Sequence, residues 1–289
     1  MARVEYTEPS SIEEVLGVLD QQGDDAKILA GGQSLLVLLR DGLIHPRVLV
    51  GLQGVPGLDQ ITANGELHVG AMATHTAVQT HPAVRARWAL LAQAEAAVSA
   101  PQIRNRGTLV GNVAHAFPTA DPPAALIALG AQVRLRSSGG ERTLPIEEFF
   151  VGFMQTALEP TELVTEVLIP AQPAGAVGAY LKYAMRPLDF SIVGVGARVV
   201  LAADGTCSEA RIGLNGAGPI PARAHRAEAA LWGRRLASDS DAIDTAAEAA
   251  ASDSEPVGDI DGSAEYKRKM VRVFVRRALQ QALAGAPAG

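Results

Sequence analysis

Apolar residues in the first part of the chain follow two different spacings. Residues 12–19 have apolar side chains at helical spacing, and Ser11 with Glu14 predicts a capping box at the start of that helix. The short apolar runs at 27–30 and 48–52 predict buried strands. We therefore expect a small unit in which helix and strand alternate.

The middle of the chain mixes further strands with helices. The run 67–71 predicts a strand, the alanine-rich stretch 85–100 predicts one helix, and Asp121 before two prolines predicts the N-cap of another. Alternating residues around Val133 and the apolar run 164–169 predict two more strands.

The C-terminal part has a different order of elements. Residues 171–178 are rich in proline, glycine and alanine and are the best candidate for a linker. Three predicted strands and then three predicted helices follow it: 179–185, 191–203 and 207–214, then about 222–233, 239–251 and 264–284. A run of strands followed by a run of helices is typical of a separate domain.

Composition narrows the possible function. The chain has 289 residues, 48% of them hydrophobic and 19% charged, and its net charge of −6 argues against nucleic acid as the main partner. It has neither an apolar run of the roughly 18 residues that a membrane span needs nor an apolar signal core near residue 1, so we expect a cytoplasmic protein. Cys207 is the only cysteine, and an iron–sulfur cluster needs about four thiolates, so any cluster would belong to a partner.

Two glycine-marked turns are the strongest candidates for a binding site. They lie at 30–34 (Ala-Gly-Gly-Gln-Ser) and at 106–112 (Arg-Gly-Thr-Leu-Val-Gly-Asn). Glycine lets backbone N–H groups approach an oxyanion closely, and Ser34, Thr108 and Asn112 add short polar side chains. Many such turns are only turns. The residues therefore leave open either a structural role or a clamp around the pyrophosphate of a dinucleotide.

The other motifs do not indicate a site. The run 194–199 lacks the third glycine of a dinucleotide-binding fingerprint, and the sequence has neither a P-loop nor a nucleophile elbow. The six histidines have no zinc-type spacing, although His115 follows the second turn. Asp121 is either a helix cap or an acceptor for ribose hydroxyls. Lys182 lies on a predicted strand, where an exposed position is ordinary.

The two turns, in this order and followed by Asp121, closely resemble the FAD-binding (medium) subunit of the molybdenum hydroxylases. This is the family of xanthine dehydrogenase and aerobic carbon monoxide dehydrogenase. The resemblance covers almost the whole chain, and it includes residues 102–112, residues 182–193 and the Pro-x-Pro-x-Arg-Ala segment at 219–224.

The resemblance implies an α+β fold in two parts. Residues 1–175 would form a two-lobed FAD-binding domain of the vanillyl-alcohol oxidase (PCMH) type, with lobes at about 1–55 and 56–175 and FAD between them. Residues 176–289 would form the family's small C-terminal domain, a three-stranded antiparallel sheet with a helical bundle.

The resemblance also implies a function in electron transfer. A large partner subunit with molybdopterin would hydroxylate the substrate, and two [2Fe-2S] clusters on a small partner subunit would carry the electrons to FAD in this chain. FAD would pass them to NAD⁺, oxygen or a quinone, in a dimer of heterotrimers. Two alternatives stay open, a stand-alone FAD-dependent reductase and a flavin-free structural subunit.

The implied site contains cofactor-binding residues only, with no catalytic side chain and no metal ligand. These residues are Ala30, Gly31, Gly32, Gln33, Ser34, Leu35, Thr108, Leu109, Val110, Gly111, Asn112, Asp121 and Lys182. The turns would bind the pyrophosphate, Asp121 the ribityl or ribose hydroxyls, and Lys182 would lie near the isoalloxazine.

One position departs from the family pattern. The family usually has Thr-Ile-Gly-Gly-Asn in the second turn, and here Val110 replaces the first of those two glycines. A valine is costly where φ is positive. We therefore expect a β-region backbone at Val110 or a slightly shifted contact with the cofactor.

Overall fold

The computed structural model describes residues 4–236 and 240–285, which form three main sheets and a two-stranded ribbon with helices around them. The first residue of the helix predicted at 239–251 lies outside the described residues, as do the outermost residues of both predicted domains.

The first sheet is parallel and has the order β1-β3-β2. Its strands and the two helices of this region are β1 (Glu5–Thr7), α1 (Ile12–Gln22), β2 (Ala26–Leu29), α2 (Leu35–Arg40) and β3 (Val48–Gly51). The predicted capping box is present, because Ser11 Oγ accepts from the Glu14 N–H at 3.2 Å. The reciprocal bond differs from the usual one, since the Glu14 carboxylate accepts from the N–H of Ser10 at 2.7 Å.

The second sheet is antiparallel, with the order β4-β5-β10-β6-β7. The strands of this region are β4 (Ile61–Asn64), β5 (Glu66–Gly70), β6 (Gln132–Ser137), β7 (Gly140–Pro145), β8 (Phe150–Gly152), β9 (Gln155–Thr156) and β10 (Leu163–Ile169). Its helices are α3 (His75–Thr80), α4 (Pro82–Arg87), α5 (Ala89–Ala97), α6 (Pro101–Arg104), α7 (Leu109–His115), α8 (Asp121–Leu129) and α9 (Ile146–Phe149).

The single helix predicted at 85–100 is wrong, because Trp88 separates α4 from α5. Its backbone is non-helical, with φ −130° and ψ 47°. The ring is buried, and its Nε1 donates to the Pro170 carbonyl at 2.9 Å. Burial of a large side chain thus overrides a local helical pattern.

The C-terminal part has the predicted strands followed by helices. Its elements are β11 (Ala176–Tyr183), β12 (Val193–Leu201), β13 (Cys207–Asn215), β14 (Ala222–Arg223), α10 (His225–Leu231), α11 (Asp241–Asp253) and α12 (Ala264–Ala284). The antiparallel sheet has four strands, not the predicted three, because the short β14 pairs with β13. For the same reason the helix expected from residue 222 begins only at His225.

Helix α8 packs against the C-terminal sheet, mainly on β12 and β13. All nine of its residues are buried, and a Cβ at Gly213 on β13 would lie 2.1 Å from the Ala124 carbonyl oxygen. The first residue of α8, Asp121, lies beside β11, because Tyr180 and Lys182 of that strand both donate to its carboxylate. In the described part of the chain, no helix combines the length and the apolar character that crossing a membrane would require.

Candidate FAD site

The first glycine turn connects β2 to α2. Gly32 has a φ of +75°, which favours glycine, and Gln33 Nε2 donates to the Gly31 carbonyl at 3.2 Å. Ser34 is the N-cap of α2, but its hydroxyl makes no capping bond. The N–H groups of Gln33, Ser34 and Leu35 have no hydrogen-bond partner among the described residues. The turn therefore presents donors that the protein itself does not use.

The second glycine turn leads into α7. Thr108 is the N-cap, and its Oγ1 accepts from the Gly111 N–H at 3.0 Å. The next two residues, Leu109 and Val110, are buried in the core. The N–H of Leu109 donates to the Ala73 carbonyl at 3.2 Å, whereas that of Val110 has no partner in the part of the chain that the structure describes.

The β-region backbone expected as one possibility at Val110 is wrong. Val110 lies inside α7 and is absent from the residues with positive φ among those described. A valine in a helix loses only some side-chain freedom, so glycine is not required at this position. Its N–H stays available whichever side chain is present.

The two turns are in direct contact. A Cβ at Gly31 would lie 2.0 Å from the carbonyl oxygen of Arg106 and 2.8 Å from the Cα of Gly107. Next to this contact, a Cβ at Gly107 would lie 3.4 Å from the Cγ of Gln33, and one at Gly111 would lie 4.0 Å from the Cβ of Ala30. The structure thus joins residues some seventy positions apart into one surface.

The polar groups on this surface fit a pyrophosphate. Unpaired N–H groups near a turn bind phosphate oxygens without further rearrangement. The Oδ1 atom of Asn112 is also buried and has no partner among the described residues. An amide oxygen only accepts, so this atom suits a hydroxyl or N–H group of a ligand and not a phosphate oxygen.

Asp121 and Lys182 form a buried ion pair. Asp121 Oδ2 accepts from Lys182 Nζ at 2.9 Å, and Oδ1 accepts from the Tyr180 hydroxyl at 2.6 Å. Lys182 Nζ also donates to the Ala97 carbonyl at 3.0 Å, which leaves one of its N–H groups for a ligand. Burial raises the pKa of the Asp121 carboxyl above its usual value, while the neighbouring Lys182 ammonium opposes that rise.

The N-cap expected at Asp121 is wrong, and so is the exposed position that was one alternative for Lys182. Asp121 is not an N-cap; it is the first residue of α8, Ala120 is the cap, and the carboxylate turns to the ion pair instead. Lys182 is not exposed, because only 10% of its side chain is accessible. The ion pair between Asp121 on α8 and Lys182 on β11 explains both differences.

Sequence reasoning missed a buried pair next to the second turn. His75 Nδ1 lies 2.6 Å from Glu95 Oε2, and both side chains are almost completely buried. The two residues lie 20 positions apart, on α3 and α5, so no local spacing indicated their contact.

An aromatic cluster is formed by residues that follow or end separate elements of the chain: His115, Phe117, Phe153 and Phe190. The ring of Phe117 lies 5.9 Å from His115, 5.0 Å from Phe190 and 6.3 Å from Phe153, measured between centroids. Phe153 and Phe190 are exposed. Burial lowers the pKa of the His115 imidazole. The cluster is apolar ring surface open to contact with a ligand or a partner.

Metal and thiol chemistry have little support in this chain. Cys207 is fully buried, and burial raises the pKa of its thiol, which makes the thiol less reactive. Within residues 4–236 and 240–285, no three or more His, Cys, Asp or Glu side chains are grouped to hold a metal ion.

Two family models match consecutive parts of the chain. The model described as the FAD binding domain in molybdopterin dehydrogenase matches residues 2–172. The model described as the CO dehydrogenase flavoprotein C-terminal domain matches residues 179–282.

Relatives of known function match over nearly the whole length. The alpha subunit of the 6-hydroxypseudooxynicotine dehydrogenase complex of Paenarthrobacter nicotinovorans is 38% identical, over 96% of this chain and 94% of its own. The carbon monoxide dehydrogenase medium chain of Hydrogenophaga pseudoflava is 37% identical, over 98% of each chain. A solved structure of carbon monoxide dehydrogenase from that organism, lacking the Mo-pyranopterin moiety, superposes with a TM-score of 0.95 at 38% identity, over 99% of both chains. The resemblance and the predicted fold are therefore confirmed: this chain belongs to the FAD-binding subunits of the molybdenum hydroxylases, which are oxidoreductases.

Proposed function

We propose that this chain accepts electrons from the [2Fe-2S] clusters of a partner subunit on its FAD and passes them to an external acceptor. The observation that supports this most is the contact between the two glycine turns at Gly31 and Gly107. Because the turns meet, their unpaired N–H groups can bind the same pyrophosphate.

Each part of the site has a separate role in the proposal. Residues 30–35 and 108–112 bind the pyrophosphate region. Asp121 binds ribityl or ribose hydroxyls with the lone pairs that Tyr180 and Lys182 do not use. Lys182 places a positive charge near the flavin ring, where it favours an anionic reduced form. FAD, when bound, supplies the redox chemistry, so no side chain need act as nucleophile or general base.

The proposal includes partners that this chain cannot replace. An iron–sulfur small subunit and a molybdopterin large subunit would complete a heterotrimer, and two heterotrimers would associate in the cytoplasm. The naming of one relative as a subunit of a dehydrogenase complex supports such an assembly. The acceptor would be NAD⁺, oxygen or a quinone, and the domain boundary would lie between residues 175 and 176.

The experiment that tests the proposal is an absorption spectrum of the protein purified from its host with its associated chains. The expected result is flavin bands and iron–sulfur absorbance in the spectrum, molybdenum in metal analysis of the same sample, and two further subunits on a denaturing gel. A complex without flavin bands would refute FAD binding and favour a structural subunit. A yellow single chain with NAD(P)H-dependent activity would favour the stand-alone reductase.

A further inference from the structure

The buried pair of His75 and Glu95 has no part in the function described so far. Their side chains are 3% and 0% exposed, and Glu95 Oε1 has no hydrogen-bond partner among the described residues. Replacing such a buried pair with apolar residues is often neutral for stability, so stability alone does not explain it. Its position in the fold indicates what it does.

His75 contacts the second glycine turn with both its backbone and its ring. Its N–H donates to the Gly107 carbonyl at 3.0 Å. Its Cδ2 would lie 3.1 Å from a Cβ at Gly107, and the Ile103 carbonyl oxygen would lie 3.0 Å from the same point. Gly107 is therefore packed between the imidazole and the end of α6. The Glu95 hydrogen bond fixes the orientation of that imidazole.

The position of Gly107 also determines the position of the first turn. Gly31 lies against Arg106 and Gly107 so closely that even a methyl group does not fit between them. Two further contacts join the residues just before α3 to the second turn. The Leu109 N–H donates to the Ala73 carbonyl, and Thr74 and Thr108 form a β-bridge. A displaced imidazole would move both pyrophosphate-binding turns.

The other end of the pair leads to the ion pair of the site. Glu95 lies on α5, two residues before Ala97, whose carbonyl accepts from Lys182 Nζ at 3.0 Å. After the larger effect of burial, the charge of Glu95 also raises the pKa of the Asp121 carboxyl. Helix α5 thus connects the pair to the second group of site residues.

We infer that His75 and Glu95 are positioning residues that fix both glycine turns in the arrangement that binds FAD. They act through Gly107 and do not touch the cofactor themselves. This inference rests on the proposed function, since it concerns the same FAD site.

The test replaces the pair without leaving a buried charge. A single apolar substitution would leave the other ionisable group buried without a partner and risk unfolding the chain. The double variant His75→Leu/Glu95→Leu keeps similar volume in the core and removes the hydrogen bond. We expect it to fold, with the Kd for FAD raised at least about tenfold and the visible circular dichroism of bound flavin altered.

Two further variants separate positioning from general packing. Glu95→Gln keeps an acceptor for His75 Nδ1 and should bind FAD within about threefold of the wild type. The matched control is His68→Leu. His68 also pairs with carboxylates, Glu66 and Glu166 at 2.9 Å each, but these three residues are on strands of the second sheet and none belongs to either turn. This control should leave FAD binding unchanged.

The outcomes are distinguishable by titrating FAD into flavin-free full-length chain. A wild-type chain that binds no FAD would overturn the proposed function itself. A wild type that binds FAD, with a folded double variant that binds it equally well and with the same spectrum, would overturn the inference alone. If the double variant does not fold, His75→Ala/Glu95→Gln decides. It removes the ring atom that lies at Gly107 and leaves no buried charge, and unchanged affinity would again overturn the inference.

Discussion

Replacing Gly31 with alanine would place a methyl group where the two glycine turns meet. The new Cβ would lie 2.0 Å from the Arg106 carbonyl oxygen and 2.8 Å from the Gly107 Cα. An ordinary contact is about 3.4 Å, so the turns would have to separate by about 1.4 Å. Both obstructing atoms belong to the backbone, and no rotation of a side chain relieves the contact.

The expected loss has two components. Forcing an extra methyl group into a packed site costs about 1–3 kcal/mol of folding free energy. Separating the turns also removes at least one N–H bond to a pyrophosphate oxygen, and a hydrogen bond to a charged group contributes about 1.5–3 kcal/mol. The Kd for FAD should therefore rise on the order of 10- to 100-fold.

The assay is a fluorescence titration of FAD into flavin-free protein, together with thermal unfolding of both forms. Gly17→Ala is the matched control, because Gly17 lies within α1 and a Cβ there meets nothing within 4 Å. It should leave FAD binding unchanged and raise stability by about 0.5–1 kcal/mol. If Gly31→Ala bound FAD as tightly as the wild type, the turns would not bind one pyrophosphate together.

Three further predictions concern other parts of the fold. Val110→Gly should lower the free energy of unfolding, measured in urea, by about 2 kcal/mol. It should not tighten FAD binding, because the N–H and not the side chain is offered to the ligand. Tighter binding would contradict the helical role of Val110. Gly213→Ala should destabilise the chain by about 1–3 kcal/mol in thermal melts, since its Cβ would lie 2.1 Å from the Ala124 oxygen, and an unchanged Tm would contradict that packing. The Arg142 hydrogen bond lowers the pKa of Glu162, so this pair stabilises the fold above about pH 4 and loses that effect as the pH falls through the lowered pKa. Glu162→Gln should therefore destabilise the chain more at pH 7 than at a pH below the lowered pKa, whereas an equal deficit at both would argue against the charge as the cause.

Local signals predicted the elements that depend on local interactions. The Ser11 cap and the first glycine turn each lie within a few residues of the interactions that determine them. The order of strands and helices in the C-terminal part was also predictable, because alternation and helical spacing are properties of short windows.

The errors occurred where a distant residue determines the local conformation. Trp88 leaves the helical path because its ring packs in the core and bonds to Pro170. Asp121 turns away from its own helix start because Lys182, 61 residues later, supplies a stronger partner. Neither partner could be identified from spacing. The pair of His75 and Glu95 was missed for the same reason.

The positions of Asp121 and Lys182 show why the site depends on both parts of the chain. Asp121 begins α8, which packs so closely on β13 that Gly213 has no room for a Cβ. Lys182 lies near the end of β11, in the sheet that contains β13. The ion pair between them is buried, and a buried ion pair is stable only when both partners and their hydrogen bonds are present. The C-terminal part therefore completes the candidate FAD site instead of merely following it. A chain without that part would lose both the ammonium that opposes the rise in the Asp121 pKa and the strands that cover α8, so the charge and the burial of Asp121 both depend on it.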